Sequence, residues 1–306
     1  MFKNILVATE LVEHCDTPVL IAMQIAKQYN AKLHILHVLE SETSKDRRFV
    51  KHFRTGEEIF CSTEYQETVK KEIQISCSVL LDPDVHYEIK VIPGFPWEEI
   101  SRWARKEKID LILMGPHTKR ANELGVVRVS GTIGSTVQGV IMRERSPVLI
   151  VNQSMSKRRL KFKKVMVSID FSKSCEQAFR FAVKFAQKHG LKLFLFHMLP
   201  IPPSPKYSQA DYEAQLHTFK NKLETLCKEI PGGIDHEYSV WGGAIPQLEI
   251  LKYANKKDVD LIVMGSHTKN KSGKWYVGSA VERVSFRSVC PVVVITDPKA
   301  LSNIDG

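Results

Sequence analysis

The sequence is poor in cysteine, and none of its cysteines is paired in a C-x-x-C spacing. Its six, Cys15, Cys61, Cys77, Cys175, Cys227 and Cys290, fit neither a disulfide framework nor a zinc-ligand pattern, so a reducing, cytoplasmic setting is expected. No apolar run approaches the ~20 residues that a membrane span requires. The first ten residues turn polar too soon for the roughly 7–15-residue apolar stretch of a signal peptide. With 16 Gly and 14 Pro among 306 residues, collagenous and low-complexity chains are excluded. What remains, 43% hydrophobic and 25% charged, is the composition of a globular protein. At about 100–200 residues per domain, the length favours two domains.

Charge is unevenly placed. Residues 1–153 carry 20 basic and 20 acidic side chains, residues 154–306 carry 24 and 14, and the net +10 therefore belongs to the second half. Six basic residues form the run Lys157, Arg158, Arg159, Lys161, Lys163 and Lys164, and Lys269, Lys271 and Lys274 share one loop. No helix-turn-helix, aromatic-basic interleaving or zinc module accompanies the run. It reads as a solvated linker, and no nucleic-acid partner is expected.

An internal repeat sets the architecture. Residues 3–10 (KNILVATE) match 163–170 (KKVMVSID), and 32–39 (KLHILHVL) match 192–199 (KLFLFHML). Residues 109–118 (IDLILMGPHT) match 259–268 (VDLIVMGSHT), and the segment from Gly134 to Ile150 matches that from Gly278 to Val294. Four blocks in the same order indicate a duplicated domain: domain 1 over 1–153, a basic linker over 154–164 and domain 2 over 165–298.

Short apolar runs without polar alternation, such as Asn4–Ala8, Leu33–Val38, Leu111–Met114 and Val148–Val151, fit strands buried on both faces of a parallel sheet. Helical periods lie between them. Ala178, Phe181, Ala182 and Phe185 recur at helical spacing, Ser174 and Gln177 offer a capping box, and Gly190 a stop. Thr17-Pro18 opens the corresponding helix of domain 1. Residues 52–69 and 211–226 read as one further helix each. The expected fold is α/β: two tandem Rossmann-like domains, each an open parallel five-stranded sheet flanked by helices.

In such sheets ligands bind at the carboxyl ends of strands, where glycine-rich turns feed helix N-termini. Domain 2 has such a place: a strand ending at Gly265-Ser266-His267-Thr268, a nine-residue loop, and Gly278-Ser279-Ala280 opening a helix. His117 and His267 follow equivalent strands without a carboxylate or serine at a fixed offset, so no catalytic residue is nominated. His37 and His197 lie among apolar strand residues and read as core histidines, and no metal ligand is assigned. Asp110 and Asp260 precede buried strands and read as caps. The four tryptophans are widely spaced and read as packing residues.

Gly265-x2-Thr268-x9-Gly278-Ser279, with the strand ending at Ser168-Ile169-Asp170 and the segment Phe194 to Met198, resembles a universal stress protein domain, and the whole chain resembles a tandem member of that family. The nucleotide-binding branch of the family carries Gly-x2-Gly-x9-Gly-Ser/Thr and takes ATP, so the resemblance implies a cytoplasmic stress-response regulator that binds ATP, with or without Mg, or another adenine nucleotide. By that resemblance Ser168, Ile169 and Asp170 border the adenine and ribose, and Met198 contacts the base. Met264, Gly265, His267 and Thr268 lie against ribose and phosphates, and Gly278, Ser279 and Ala280 hold the phosphate tail. Thr268 stands where the pattern has its second glycine.

Domain 1 departs further, with Glu10 for the aspartate, Pro116 after Gly115, and fifteen residues between Thr118 and Gly134. The resemblance further implies an internal pseudo-dimer through the last strands and leaves a homodimer open. Two other readings compete: a nucleotide-independent dimerisation scaffold, and a slow ATPase or adenylate-handling enzyme.

Overall fold

The computed structural model describes residues 1–10, 17–41, 47–116, 132–152, 162–202, 208–266, 268–269 and 275–296, with Thr268, Lys269 and Trp275 described by backbone alone. The first half runs β1 (Asn4–Ala8), α1 (Thr17–Tyr29), β2 (Lys32–Glu40), β3 (Phe49–Lys51), β4 (Glu58–Phe60), α2 (Thr63–Cys77), β5 (Tyr87–Gly94), α3 (Pro96–Lys106), β6 (Leu111–Met114), α4 (Ser135–Arg143) and β7 (Val148–Ile150). The second runs β8 (Lys164–Ser168), α5 (Lys173–His189), β9 (Lys192–Pro200), α6 (Gln209–Cys227), β10 (His236–Gly243), α7 (Pro246–Lys257), β11 (Leu261–Gly265), β12 (Thr268–Lys269), β13 (Trp275–Tyr276), α8 (Ser279–Arg287) and β14 (Val292–Ile295).

Each half contributes five parallel strands in the same relative order, and the two sets fuse into one ten-stranded sheet, β10-β9-β8-β11-β14-β7-β6-β1-β2-β5. Two small hairpins, β3-β4 and β12-β13, stand outside it. The pleat sends Ile5 and Val7 to the face covered by α1, α2, α5 and α6, and Leu6 to the face covered by α3, α4, α7 and α8. Both apolar layers run through both halves. That two-sided burial is why the strands read as continuous apolar runs.

Local chemistry ends the helices where expected. Gly190 stops α5 in the left-handed conformation, and Asn30 does the same for α1. Two expectations are corrected. The N-cap of α5 is Ser172, which accepts from the Cys175 N–H at 3.3 Å, and Ser174 lies inside the first turn. The helix expected over 52–69 is largely a hairpin: β3 pairs with β4 and buries Val50, and α2 begins only at Thr63, capped by Ser62. Phe49-Val50-Lys51 is a two-residue alternation too short to compete visibly with a helical reading. Asp110 and Asp260 act as clamps at the amino ends of the strands, each accepting two backbone N–H groups, from Lys3 and Asn4 and from Lys163 and Lys164.

The halves meet where β14 pairs antiparallel with β7, in the register Val292↔Ile150, Val293↔Leu149 and Val294↔Val148. Each half then caps the other's last helix. Asn152, just past β7, donates through Nδ2 to the Ser285 and Ser288 carbonyls at the end of α8, at 3.0 and 2.8 Å. Thr296, just past β14, donates to the Glu144 carbonyl at the end of α4 at 3.0 Å. On the opposite face the Tyr29 hydroxyl of α1 meets His189 Nε2 of α5, with Gln28 on the other ring nitrogen.

Replacing Asn152 by Ala strands two buried carbonyls and is expected to cost about 1–3 kcal/mol, read from urea denaturation. His189 gives a pH test. Burial, aided by the Lys188 charge, holds its pKa below the ordinary value. The unfolded chain therefore binds the extra proton between that lowered value and about 6.5. Stability is fully present above this window and is lost as the pH falls through it. His189→Gln is expected to lose less stability than the wild type between pH 7.5 and 5.5, and equal losses would exclude this histidine as a source.

Candidate functional site

The strand order places the topological switch of the second half between β8 and β11, where the chain leaves β8 towards β9 on one side and β11 stands on the other. Clefts at such points open at the carboxyl ends of the strands. The register sets Ser168 beside Met264, and Gly265 beside Ile295. Ile169 continues β8 and is almost fully buried, its N–H bonded to the Phe196 carbonyl at 2.8 Å.

Asp170 is exposed, and its Oδ1 accepts from both the Ser172 N–H (2.9 Å) and the Ser172 hydroxyl (2.6 Å). The carboxylate thus fixes the turn that starts α5. Between them Phe171 takes a positive φ of 61°, a conformation costly for a side chain of this size. Its ring lies against His197 and Phe219, whose own rings stack at 4.3 Å, with Lys222 Nζ over both phenylalanines. His197 donates through Nδ1 to the Ile169 carbonyl (2.8 Å), as His37 does to the Thr9 carbonyl in the first half (2.9 Å), and burial lowers both pKa values. Cys175 sits directly beneath, within 3.5 Å of the Ser168 carbonyl. Burial, reinforced by Asp170, pushes its thiol up to about 12, which keeps it protonated.

The second wall is apolar. Met198, Met264, Val277 and Val281 share one core layer, with Ala280 packed against it. Helix α8 starts at Gly278 with no side-chain cap, so its first-turn N–H groups face outward without an acceptor from the N-cap residue. Ser266, buried, closes the site from below: its N–H bonds the Ile295 carbonyl at 2.9 Å, and its hydroxyl accepts from the Gly278 N–H at 3.4 Å. The sequence motifs include Ser266, Phe171 and Ser172 but give none of them a role. Only the Asp-x-Ser spacing before a helix signals the last of these.

Three glycine-motif positions resolve differently. A Cβ on Gly265 would lie 2.5–2.6 Å from the backbone of Ser174 and Cys175, so close packing of β11 on α5 demands glycine there. Gly278 has φ −61° and ψ 136°, open to any residue. Thr268 pairs with Tyr276 in the β12-β13 hairpin. Its backbone is therefore extended, and threonine there meets no φ penalty. His267 and Asn270 to Lys274 lie outside the described residues.

In the first half, Pro116 stands at the position of Ser266, and its carbonyl rather than a hydroxyl accepts from the Gly134 N–H, at 2.8 Å. The residues from His117 to Gly131 lie outside the described residues.

Comparison with known proteins matches the chain to the universal stress protein family twice, over residues 1–152 and 161–296. The chain belongs to the universal stress protein family. Two universal stress proteins of Methanocaldococcus jannaschii are 25% and 28% identical to it, each aligning with about half of this chain (45% and 44%) and with 84% and 94% of its own length. A universal stress protein structure from Archaeoglobus fulgidus covers 96% of both chains at 22% identity and a TM-score of 0.62, a likeness in fold. The family domain is thus present in tandem. No helix among the described residues is long and apolar enough to cross a membrane.

The glycines make separable predictions. Gly265→Ala pushes a methyl group into helix backbone and is expected to cost about 1–3 kcal/mol or more. Gly278→Ser supplies a favoured N-cap and is expected to hold or raise the melting temperature.

Proposed function

We propose that this universal stress protein binds ATP or a related adenine nucleotide in its second half and acts as a stress-response regulator that passes its nucleotide state to a protein partner. The observation that carries the reading is the convergence at one strand end of three complementary surfaces. An apolar wall of Met198, Met264, Val277 and Ala280 suits a base. The Ser168 and Asp170 edge suits a ribose. The uncapped start of α8 at Gly278, Ser279 and Ala280 suits phosphate oxygens, because N–H groups and the helix dipole both favour an anion. Gly265, His267 and Thr268 complete the set by family resemblance, and Ile169 braces it from the core. Lys269, Lys271 and Lys274 add positive charge to the intervening segment.

The first half is proposed as the weaker site, since Pro116 removes a backbone donor where the second half has Ser266. The paired halves are proposed to act as an internal pseudo-dimer in the cytoplasm.

A nucleotide-independent scaffold is the second reading, and Gly265 favours it, because packing alone accounts for that glycine. Heat denaturation of the purified protein, followed by analysis of the supernatant, separates the two. Released ATP, ADP or AMP, or a rise in melting temperature with millimolar ATP and Mg, is expected for a binder. Neither effect leaves the scaffold. Gly278→Asp sharpens the test, because an N-cap carboxylate takes the same N–H groups and stabilises the helix. The variant is expected to stay folded and to bind ATP about a hundredfold more weakly or worse, the equivalent of about 2.8 kcal/mol. Unchanged affinity would place the nucleotide elsewhere.

A further inference from the structure

The repeat provides an internal comparison at a second place, near the amino ends of the strands and away from the nucleotide cleft. In the second half, Phe194 of β9 lies beside Glu237 of β10, and Lys257 ends α7 just before the left-handed Asp258. The Lys257 ammonium pairs with Glu237 and lies 5.6 Å from the Phe194 ring centre. In the first half the same register sets His34 of β2 beside Glu88 of β5, and Glu107 follows α3 just before the left-handed Lys108. The built-in cation is thus replaced by a second carboxylate, and the phenylalanine by an imidazole.

The three donor atoms of His34, Glu88 and Glu107 lie within 4.8 Å of one another. His34 is 1% exposed. Its Nδ1 stands 2.6 Å from Glu88 Oε1, yet the same nitrogen receives the Trp103 indole N–H at 3.3 Å. A carboxylate there asks for a proton on Nδ1, and an indole N–H asks for a lone pair. Neither tautomer satisfies both, and Nε2 finds no hydrogen-bond partner. Burial holds the imidazole pKa down, against the pull of Glu88. The carboxylates reach the surface, with side chains 31% and 25% exposed. Their present counter-ions are lysines with partly exposed side chains. Lys32 lies 3.0 Å from Glu88 and Lys106 lies 3.4 Å from Glu107, with side chains 30% and 65% exposed.

We propose that His34, Glu88 and Glu107 form a binding site for a divalent first-row transition ion of the Zn²⁺ class. One imidazole nitrogen and two carboxylate oxygens are a mixed donor set that suits zinc better than magnesium or calcium, which prefer oxygen alone. The ion takes the Nδ1 lone pair and one oxygen from each carboxylate, and water fills the solvent side. Lys32 and Lys106 swing outward as it enters. The bound ion ties β2, β5 and the end of α3 together, the task that Lys257 performs in the second half. The site lies apart from the nucleotide cleft, so it stands or falls independently of ATP binding.

The second half also supplies the control substitutions. His34→Phe and Glu107→Lys each install the residue that the repeat already accommodates, so both variants are expected to fold, and Glu107→Lys to pair with Glu88. Calorimetric titration of the full chain with ZnCl₂ is expected to give one ion per wild-type chain. Each variant should weaken binding more than about tenfold, with metal-free melting temperatures unchanged or raised. Absorption with Co²⁺ is expected to show d–d bands without thiolate charge transfer. The proposal is overturned if either variant binds as the wild type does, if a thiolate band appears and assigns the ion to a cysteine, or if the wild type takes up no Zn²⁺ at concentrations well above its own.

Discussion

The antiparallel pairing of β7 with β14 is the contact on which the rest of this structure depends. Three register pairs are few for a seam in the middle of a ten-stranded sheet. The seam is secured by what flanks it: Asn152 and Thr296 cap each other's partner helices, Gln138 meets Glu282 between α4 and α8, and Tyr29 meets His189 between α1 and α5. Both apolar layers then continue across the boundary, so neither half has a face at the seam that water must cover. A terminal strand that would otherwise be an exposed edge is paired instead.

On that shared frame the halves diverge at loops and helix ends while their strands stay alike. Ser266 becomes Pro116 at one end of the sheet, and Lys257 becomes Glu107 at the other. Each exchange changes which side-chain and backbone groups stand at that position. Such positions are where a duplicated fold can acquire different chemistry without repacking its core.

Much of the fold was legible in the sequence, because double-sided burial leaves unmixed apolar runs. β1 and β6 fall on the residues that the pattern marks, and Gly190 stops α5 where a glycine should. The β3-β4 hairpin was not legible: its alternating strands are three residues long, and the buried Val50 is decided by contact with the sheet. The candidate site's positions come from the family resemblance, and the structure gives some of those residues reasons that the sequence alone does not. Gly265 reads as a ligand signal, yet its steric need comes from Ser174 and Cys175, distant in sequence and adjacent only once β11 packs on α5. Thr268 looks like a defect until Tyr276 is seen pairing with it. His34, Glu88 and Glu107 share no local pattern at all, and only the strand register and the end of a helix bring them together.

The segment joining Ile150 to Lys164 has a consequence beyond connectivity. Two separate copies of such a domain would meet at a rate and extent set by their concentration in solution. Here a short tether holds the last strand of each within reach of the other, and the effective concentration of a partner so linked is commonly of millimolar order. A pair encoded by one repeat must keep both faces identical, because every change appears twice. A tethered pair is released from that rule: one member can drift in sequence while its neighbour keeps it folded, which makes the tether the condition for dividing labour within a single chain.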